Sequence, residues 1–289
     1  MNRVKEKAFE MLFLLVACVS ILCVLVICIF LFANGVPAMA EIGIFDFLLG
    51  TEWRPTASNN PSFGILPMIV GSIYITTGAI VIGVPIGILT AVYLTKYCSK
   101  KALVYLKPAI NLMAGIPSIL YGFFGMVVLV PFVRSVFGIN LTNGSSILTA
   151  SLLLGFMILP TIIGLSQSAI EAVPSFYYEG ARALGATHEN SIFKVVLPAA
   201  KSGILASVVL GIGRAIGETM AVIMVAGNQA RLTTNILSGI RTLTANVVIE
   251  MAYATDLHRE ALIATGVVLF VFILLINLSF SILKRKVSK

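Results

Sequence analysis

The sequence predicts an all-α polytopic membrane protein with six transmembrane helices. Three observations lead there. Of 289 residues, 58% are hydrophobic and only 11% charged, where an ordinary soluble domain carries about 25% charged residues. Mean hydropathy is +1.03. Six stretches also reach the roughly 20 mostly apolar residues that a helix needs to cross the hydrocarbon core. They run Met11–Ala33, Met68–Leu94, Ala109–Val133, Ile147–Ile170, Gly203–Ala226 and Ala261–Leu283. A transmembrane barrel would show short alternating segments instead. Disorder, collagen and coiled coil are excluded by the dominance of apolar residues and by Gly and Pro spread without period.

The first span follows a basic N-terminal segment, together residues 1–33. Ala38-Met39-Ala40 has the look of a signal-peptidase site, but the apolar run before it is longer than the about 7–15 residues of a signal peptide. It is therefore read as a span. Cys18, Cys23 and Cys28 recur at intervals of five, which scatters them around a helix, and Cys98 stands apart. None has a nearby His, so small buried apolar residues are expected there and no metal site or disulfide.

An extracytoplasmic loop, 34–67, leads into a core of five further spans, 68–283, and a cytoplasmic tail, 284–289. Glycine and proline gather inside the spans: Gly83, Pro85 and Gly87 in the second; Gly115, Pro117, Gly122 and Gly125 in the third; Gly211, Gly213 and Gly217 in the fifth. Small residues let helices approach, and proline frees carbonyls that must face a partner or a wet cavity. Singly each glycine reads as packing; as a set they suit a bundle that moves or encloses a path. Thr76, Thr77, Asn111, Ser118 and Gln167 fall in or beside spans and read as interhelical hydrogen bonds before pathway contacts. No internal duplication or low-complexity tract is visible.

Short loops rich in Lys and Arg stay cytoplasmic. One set of aqueous segments carries Arg3, Lys5, Lys7, Lys96, Lys100, Lys101, Lys107, Arg182, Lys194, Lys201, Lys284, Arg285, Lys286 and Lys289. The other carries Arg54, Arg134, Arg231, Arg241 and Arg259. This asymmetry puts both termini in the cytoplasm. The net charge of +8 then reflects topology and anionic lipid, and no nucleic-acid partner is expected.

Enzymatic motifs are missing. There is no G-x-x-x-x-G-K-[ST] phosphate loop, no H-E-x-x-H and no G-x-S-x-G, and His188 and His258 fall in loops on opposite sides of the membrane. No catalytic residue, metal ligand or bound cofactor is predicted for the chain.

The longest inner loop, 171–202, reads Pro174-Ser175-Phe176-Tyr177-Tyr178-Glu179-Gly180-Ala181-Arg182-Ala183-Leu184-Gly185 and later Val195-Val196-Leu197-Pro198. Pro174 suits a helix start, Gly185 a turn, and a second short helix is expected to end near Leu197-Pro198. Phe176, Ala183 and Leu184 offer an apolar face, and Glu179 and Arg182 can pair at i, i+3.

This loop resembles the one that docks on the ATPase in permeases of ABC importers, marked by E-A-A-x-x-x-G, nine residues, and I-x-L-P. Glu179, Gly180, Ala181, Gly185, Leu197 and Pro198 match its spacing, with Gly180 in place of the usual Ala and Val195 in place of Ile. Phe63-Gly64-Ile65-Leu66-Pro67 with Gly71-Ser72 resembles the entry to the second span of phosphate importers of the Pst type. Gly115-Ile116-Pro117-Ser118 with Tyr121-Gly122 is similar to their third span. Arg214-Ala215-Ile216-Gly217-Glu218-Thr219-Met220-Ala221-Val222 is similar to the fifth span of their C-type permease. The likeness covers about residues 8–284.

The resemblance implies a six-helix importer-type, MetI-like bundle in the cytoplasmic membrane. It implies a heterodimer with an A-type permease, two cytoplasmic ATPase subunits that hold ATP and Mg, and an extracytoplasmic phosphate-binding protein. The outer loops around Trp53-Arg54-Pro55 and Arg231–Arg259 would receive that protein. Permeases for sulfate, molybdate or an amino acid share the docking loop without needing the fifth-span charges. An ion-driven secondary transporter would favour inverted repeats with broken helices.

Arg214 and Glu218 lie inside the fifth span, where a charge costs about 2.5–3.5 kcal/mol on insertion scales. They must face a partner or water. Two readings stay open: an i, i+4 pair that fixes packing, or an anion route in which Arg214 offers its planar donor fork and Glu218 keeps the site from trapping the anion.

Overall fold

The computed structural model describes residues 3–287. Met1, Asn2, Ser288 and Lys289 lie outside the described residues, as do the side chains of Arg3, Lys5 and the tail Lys284–Lys286. Six helices within it are long and apolar enough to cross a membrane.

Helix α1 (Arg3–Ile42) is 40 residues long and runs well past Ala33, so Ala38-Met39-Ala40 is helical and Ala38 is buried. Its apolar window keeps no residue buried, the pattern of a helix bathed in lipid on most sides. It packs on the last helix, where Phe32 meets Phe270 edge-on at 5.9 Å. A short helix α2 (Ile44–Leu49) and a two-stranded ladder follow. Strands β1 (Trp53–Arg54) and β2 (Ser62–Phe63) are antiparallel, with Trp53 opposite Phe63.

The second span, α3 (Leu66–Val92), starts with proline in its first turn and widens into a π turn at Tyr93–Tyr97. Helix α4 (Lys100–Gly115) begins under a Ser99 cap whose hydroxyl accepts the Ala102 N–H at 3.3 Å. Its apolar end, from Ala109, belongs to this separate amphipathic helix and not to the third span. Ile116 is extended, with ψ 125°, because the residue before a proline avoids the helical region. The third span is therefore Ser118–Phe137, made of α5 (Ser118–Phe124), a π turn at Gly125–Leu129 and α6 (Val130–Phe137).

The fourth span, α7 (Ile147–Glu171), is capped by Ser146, and 72% of its apolar window is buried, more than in any other span. The close approach of α3 and α7 depends on Gly83: a Cβ there would lie 2.7 Å from Ile158 Cγ1 and 2.9 Å from the Gly155 carbonyl. After α8 (Ser175–Ala183), Gly185 turns the chain at φ +86°. Helix α9 (His188–Ser191) starts under a Thr187 cap and does not end at Leu197-Pro198 as expected. It continues through a π turn at Ile192–Val196 into α10 (Leu197–Gly217). Pro198 has no N–H, and its ring crowds the carbonyl four residues back; the wider turn accommodates both without ending the helix. Pro131 follows the Gly125–Leu129 π turn in the same way.

The fifth span is broken. Helix α10 stops at Gly217, Glu218 is extended with ψ 131°, and α11 (Met220–Val225) resumes. Helices α12 (Leu243–Glu250) and α13 (Asp256–Val287) complete the chain. The main core lies where α3, α7, α10 and α11 meet, around Leu153, Met157, Ile158 and Ala215. A second cluster, around Phe47, Trp53, Met68 and Leu262, closes the loop end, and a third, around Ile170, Ile192 and Val196, joins the inner loop to the spans.

Candidate functional site

Arg214 occupies the last turn of α10, and Glu218 stands just beyond its end. The negative end of the α10 dipole and the positive end of α11 meet at this break, so each charge sits where a helix end favours it. The i, i+4 pair does not form. The ion pairs among the described residues are Glu52–Arg54, Arg241–Glu250 and His258–Glu250. Arg214 instead donates Nη1 to the Thr161 hydroxyl of α7 at 3.2 Å. Glu218 Oε1 accepts the N–H groups of Thr219 and Ala221, both at 3.2 Å, and so caps α11. The extended backbone that separates the two charges is what keeps them apart. The Glu218 carbonyl freed by the break accepts the Thr244 hydroxyl of α12 at 3.1 Å.

Around Arg214 the glycines divide. A Cβ at Gly211 would press on Ile162, whereas at Gly213 and Gly217 it would meet nothing within 4 Å. Gly211 thus serves packing against α7, while Gly213 and Gly217 open a face beside the guanidinium. Arg214 stands beside this open face with guanidinium N–H donors beyond the one given to Thr161.

The inner-loop residues are brought together as a surface. Glu179 and Gly180 lie on α8, with Ala181, and Gly185 makes the turn. Leu184 is 92% exposed and Phe176 64%, and Phe176 stacks on Tyr177 with ring centroids 4.6 Å apart. Glu179 and Arg182 do not pair; Arg182 donates to the Ala186 carbonyl at 2.8 Å and ties off the turn. Leu197 and Pro198 stand at the start of α10, away from the turn in sequence but joined to it through α9. Tyr178 faces inward, with its hydroxyl 2.8 Å from His188 Nδ1.

Two groups were not singled out from the sequence. Thr161 is one polar residue among many in a span and carries no motif. The other is a buried network at the loop end. Glu250 is 6% exposed and accepts Trp53 Nε1–H at 2.8 Å, His258 Nε2 at 2.9 Å and the Arg241 guanidinium. Arg241 also donates to Asn246 at 3.0 Å and to the Asn228 carbonyl at 3.0 Å. Trp53, Arg241 and His258 are therefore structural and do not form a free receiving surface; Arg54, Arg231 and Arg259 remain exposed. Of the span residues expected to bond between helices, Gln167 bonds within its own helix to Glu171 at 2.8 Å. The hydroxyl of Ser166 with that of Ser207, at 2.7 Å, makes such a link instead.

The family described as binding-protein-dependent transport system inner membrane component matches residues 83–289. The chain belongs to this family. It is an ABC-importer permease, a multi-pass component of the cytoplasmic membrane, and the resemblance to C-type Pst permeases holds over most of its length. The probable ABC transporter permease protein YqgH of Bacillus subtilis (strain 168) is 38% identical over 259 residues, covering 87% of this chain and 83% of its own. The phosphate transport system permease protein PstC of Mesorhizobium japonicum is 37% identical over 268 residues, covering 86% and 81%. Among solved structures, a bacterial alginate ABC transporter bound to its alginate-loaded periplasmic protein aligns with 100% of this chain and 99% of its own at a TM-score of 0.68. At 16% identity that likeness concerns the fold.

Proposed function

We propose that this permease is the C-type subunit of an ATP-driven importer of inorganic phosphate, with Arg214 as the residue that handles the anion. One observation carries the reading. Arg214 is half-buried inside an apolar span, bonded to a neutral hydroxyl, with no carboxylate partner among the described residues. A guanidinium held inside an apolar span without a counter-charge is costly. An oxyanion that accepts its remaining N–H donors in the open space beside Gly213 and Gly217 offsets that cost while in transit. Glu218, whose Oε2 makes no hydrogen bond among the described residues, weakens the hold and can accept a hydrogen bond donated by a protonated phosphate oxygen.

In this reading both termini are cytoplasmic and the exposed Phe176–Leu184 surface docks on an ATPase subunit, which holds ATP and Mg. An A-type permease completes the bundle, a second ATPase subunit completes the engine, and an extracytoplasmic binding protein delivers phosphate. Closure of the ATPase pair moves α8 and α9. Because α9 runs unbroken into α10, that motion reaches Arg214 along one helix. Uptake of labelled phosphate by the four-subunit complex in proteoliposomes tests this: it requires internal ATP and the binding protein, and labelled sulfate is not taken up. Sulfate taken up as well as phosphate would contradict the substrate assignment, and uptake without ATP would contradict the mechanism.

A further inference from the structure

The face of α7 that reaches Arg214 continues toward the inner loop. Thr161, Gly164, Ser168 and Glu171 are spaced three, four and three residues apart, which stacks them on one side of the helix. Gly164, Ser168 and Glu171 are exposed, Thr161 is half-buried, and the opposite side holds the buried Ile158, Ile162 and Ile170. A Cβ at Gly164 would meet nothing within 4 Å. On the most buried of the six spans, this polar stripe lies on the open side, with the exposed Leu165 beside it.

Charge marks both ends of this stripe. Arg214 stands at Thr161, and a cavity of about 200 Å³ opens at the other end between α7 and α4. Lys107 and Asn111, one turn apart on α4, line it from one side; Gln167, Ser168 and Glu171 line it from the other. Ten residues of helix rise about 15 Å, half of the roughly 30 Å hydrocarbon core. A stripe that begins at a guanidinium and ends between an ammonium and a carboxylate does not face lipid, since each of those charges requires water or a partner.

We infer that this α7 stripe is the inner leg of the anion route and that the α4–α7 cavity is its exit vestibule, a weak site for hydrogenphosphate. The inference rests on the phosphate reading above and adds its path. Lys107 donates to the anion, and the Ser168 hydroxyl, which donates to the Gly164 carbonyl at 3.0 Å in this structure, turns to join it. Gln167 is held in place by Glu171, whose charge opposes tight binding and favours release. Thr161 is a positioning residue: its hydroxyl accepts one Arg214 N–H and so aims the rest of the fork toward the open face.

The test uses the complete complex in lipid nanodiscs with Cys18, Cys23, Cys28 and Cys98 replaced by Ala and a single new thiol at Ser168→Cys. Its rate of modification by a charged methanethiosulfonate is compared with that of Leu14→Cys on the lipid-bathed α1. Without nucleotide, Ser168→Cys reacts far faster than the control, and phosphate, not sulfate, slows it several-fold. A rate equal to the Leu14→Cys control overturns the route, and a fast rate indifferent to phosphate overturns the vestibule site. Wild-type uptake of phosphate separates these failures from failure of the substrate reading, under which the thiol still reacts quickly but phosphate is not transported. For Thr161, replacement by Val raises KM for uptake by about tenfold, the scale of one hydrogen bond to a charged group, and replacement by Ser restores it. An unchanged KM in Thr161→Val would remove the positioning role.

Discussion

Arg214 of α10 donates to the hydroxyl of Thr161 on α7 at 3.2 Å, so the guanidinium is tied across two spans and not to Glu218, four residues further along its own chain. The two charges then have separable roles. Glu218→Gln keeps an oxygen that can accept the Thr219 and Ala221 N–H groups, while Glu218→Ala removes that cap at about 0.5–2 kcal/mol. The Gln variant is expected to melt like wild type yet turn over more slowly, because phosphate leaves Arg214 less readily. Single-turnover release of labelled phosphate from the reconstituted complex measures it; release as fast as wild type would refute that role for Glu218.

The inner loop carries its own prediction. Gly180 lies inside α8, and a Cβ there meets nothing within 4 Å. Gly180→Ala should stabilise the helix by about 1 kcal/mol without disturbing a contact inside the chain. ATPase subunits should therefore copurify at least as well as with wild type. Clearly weaker association would show that the position is pressed against the ATPase.

Leu184 and Phe176 form the most exposed apolar part of that loop. Leu184→Asp should leave the permease folded and in the membrane but strip it of ATPase subunits. The readout is subunit stoichiometry after affinity purification, and full retention of the ATPase would move the docking surface elsewhere.

At the loop end, Glu250 accepts hydrogen bonds from three side chains on separate elements. Removing it by Glu250→Ala strands the Arg241 charge, a change worth about 3–5 kcal/mol in buried pairs. Thermal unfolding of the complex should shift clearly downward, and more than for Arg54→Ala, whose side chain is 70% exposed. Equal shifts would mean that the network contributes no more than a surface pair.

Much of this architecture was legible because the bilayer asks for long apolar runs and the chain supplies six. The inner loop was legible through Pro174, Gly185 and the Glu179–Pro198 spacing. Helix ends were harder. The apolar stretch from Ala109 joined the third span in composition, and only the restriction that Pro117 places on Ile116 separates it into α4. Pro198 looked like a stop, but a π turn absorbs it. The break at Glu218 has no proline to announce it. Hydropathy runs straight through Gly217-Glu218-Thr219, and the opening depends on tertiary partners such as Thr244. Contacts between distant segments were the least visible: nothing in a linear reading links Trp53 to Glu250, 197 residues apart, or Thr161 to Arg214.

The most direct measurement is phosphate uptake by the reconstituted complex, wild type against Arg214→Gln and Arg214→Lys, with subunit assembly checked in each. With internal ATP, wild type accumulates phosphate and the Gln variant, assembled normally, does not. The Lys variant keeps a point charge without the planar fork and retains partial activity. Wild-type uptake by a fully assembled Arg214→Gln complex would contradict the claim that Arg214 handles the anion and leave it a packing partner of Thr161.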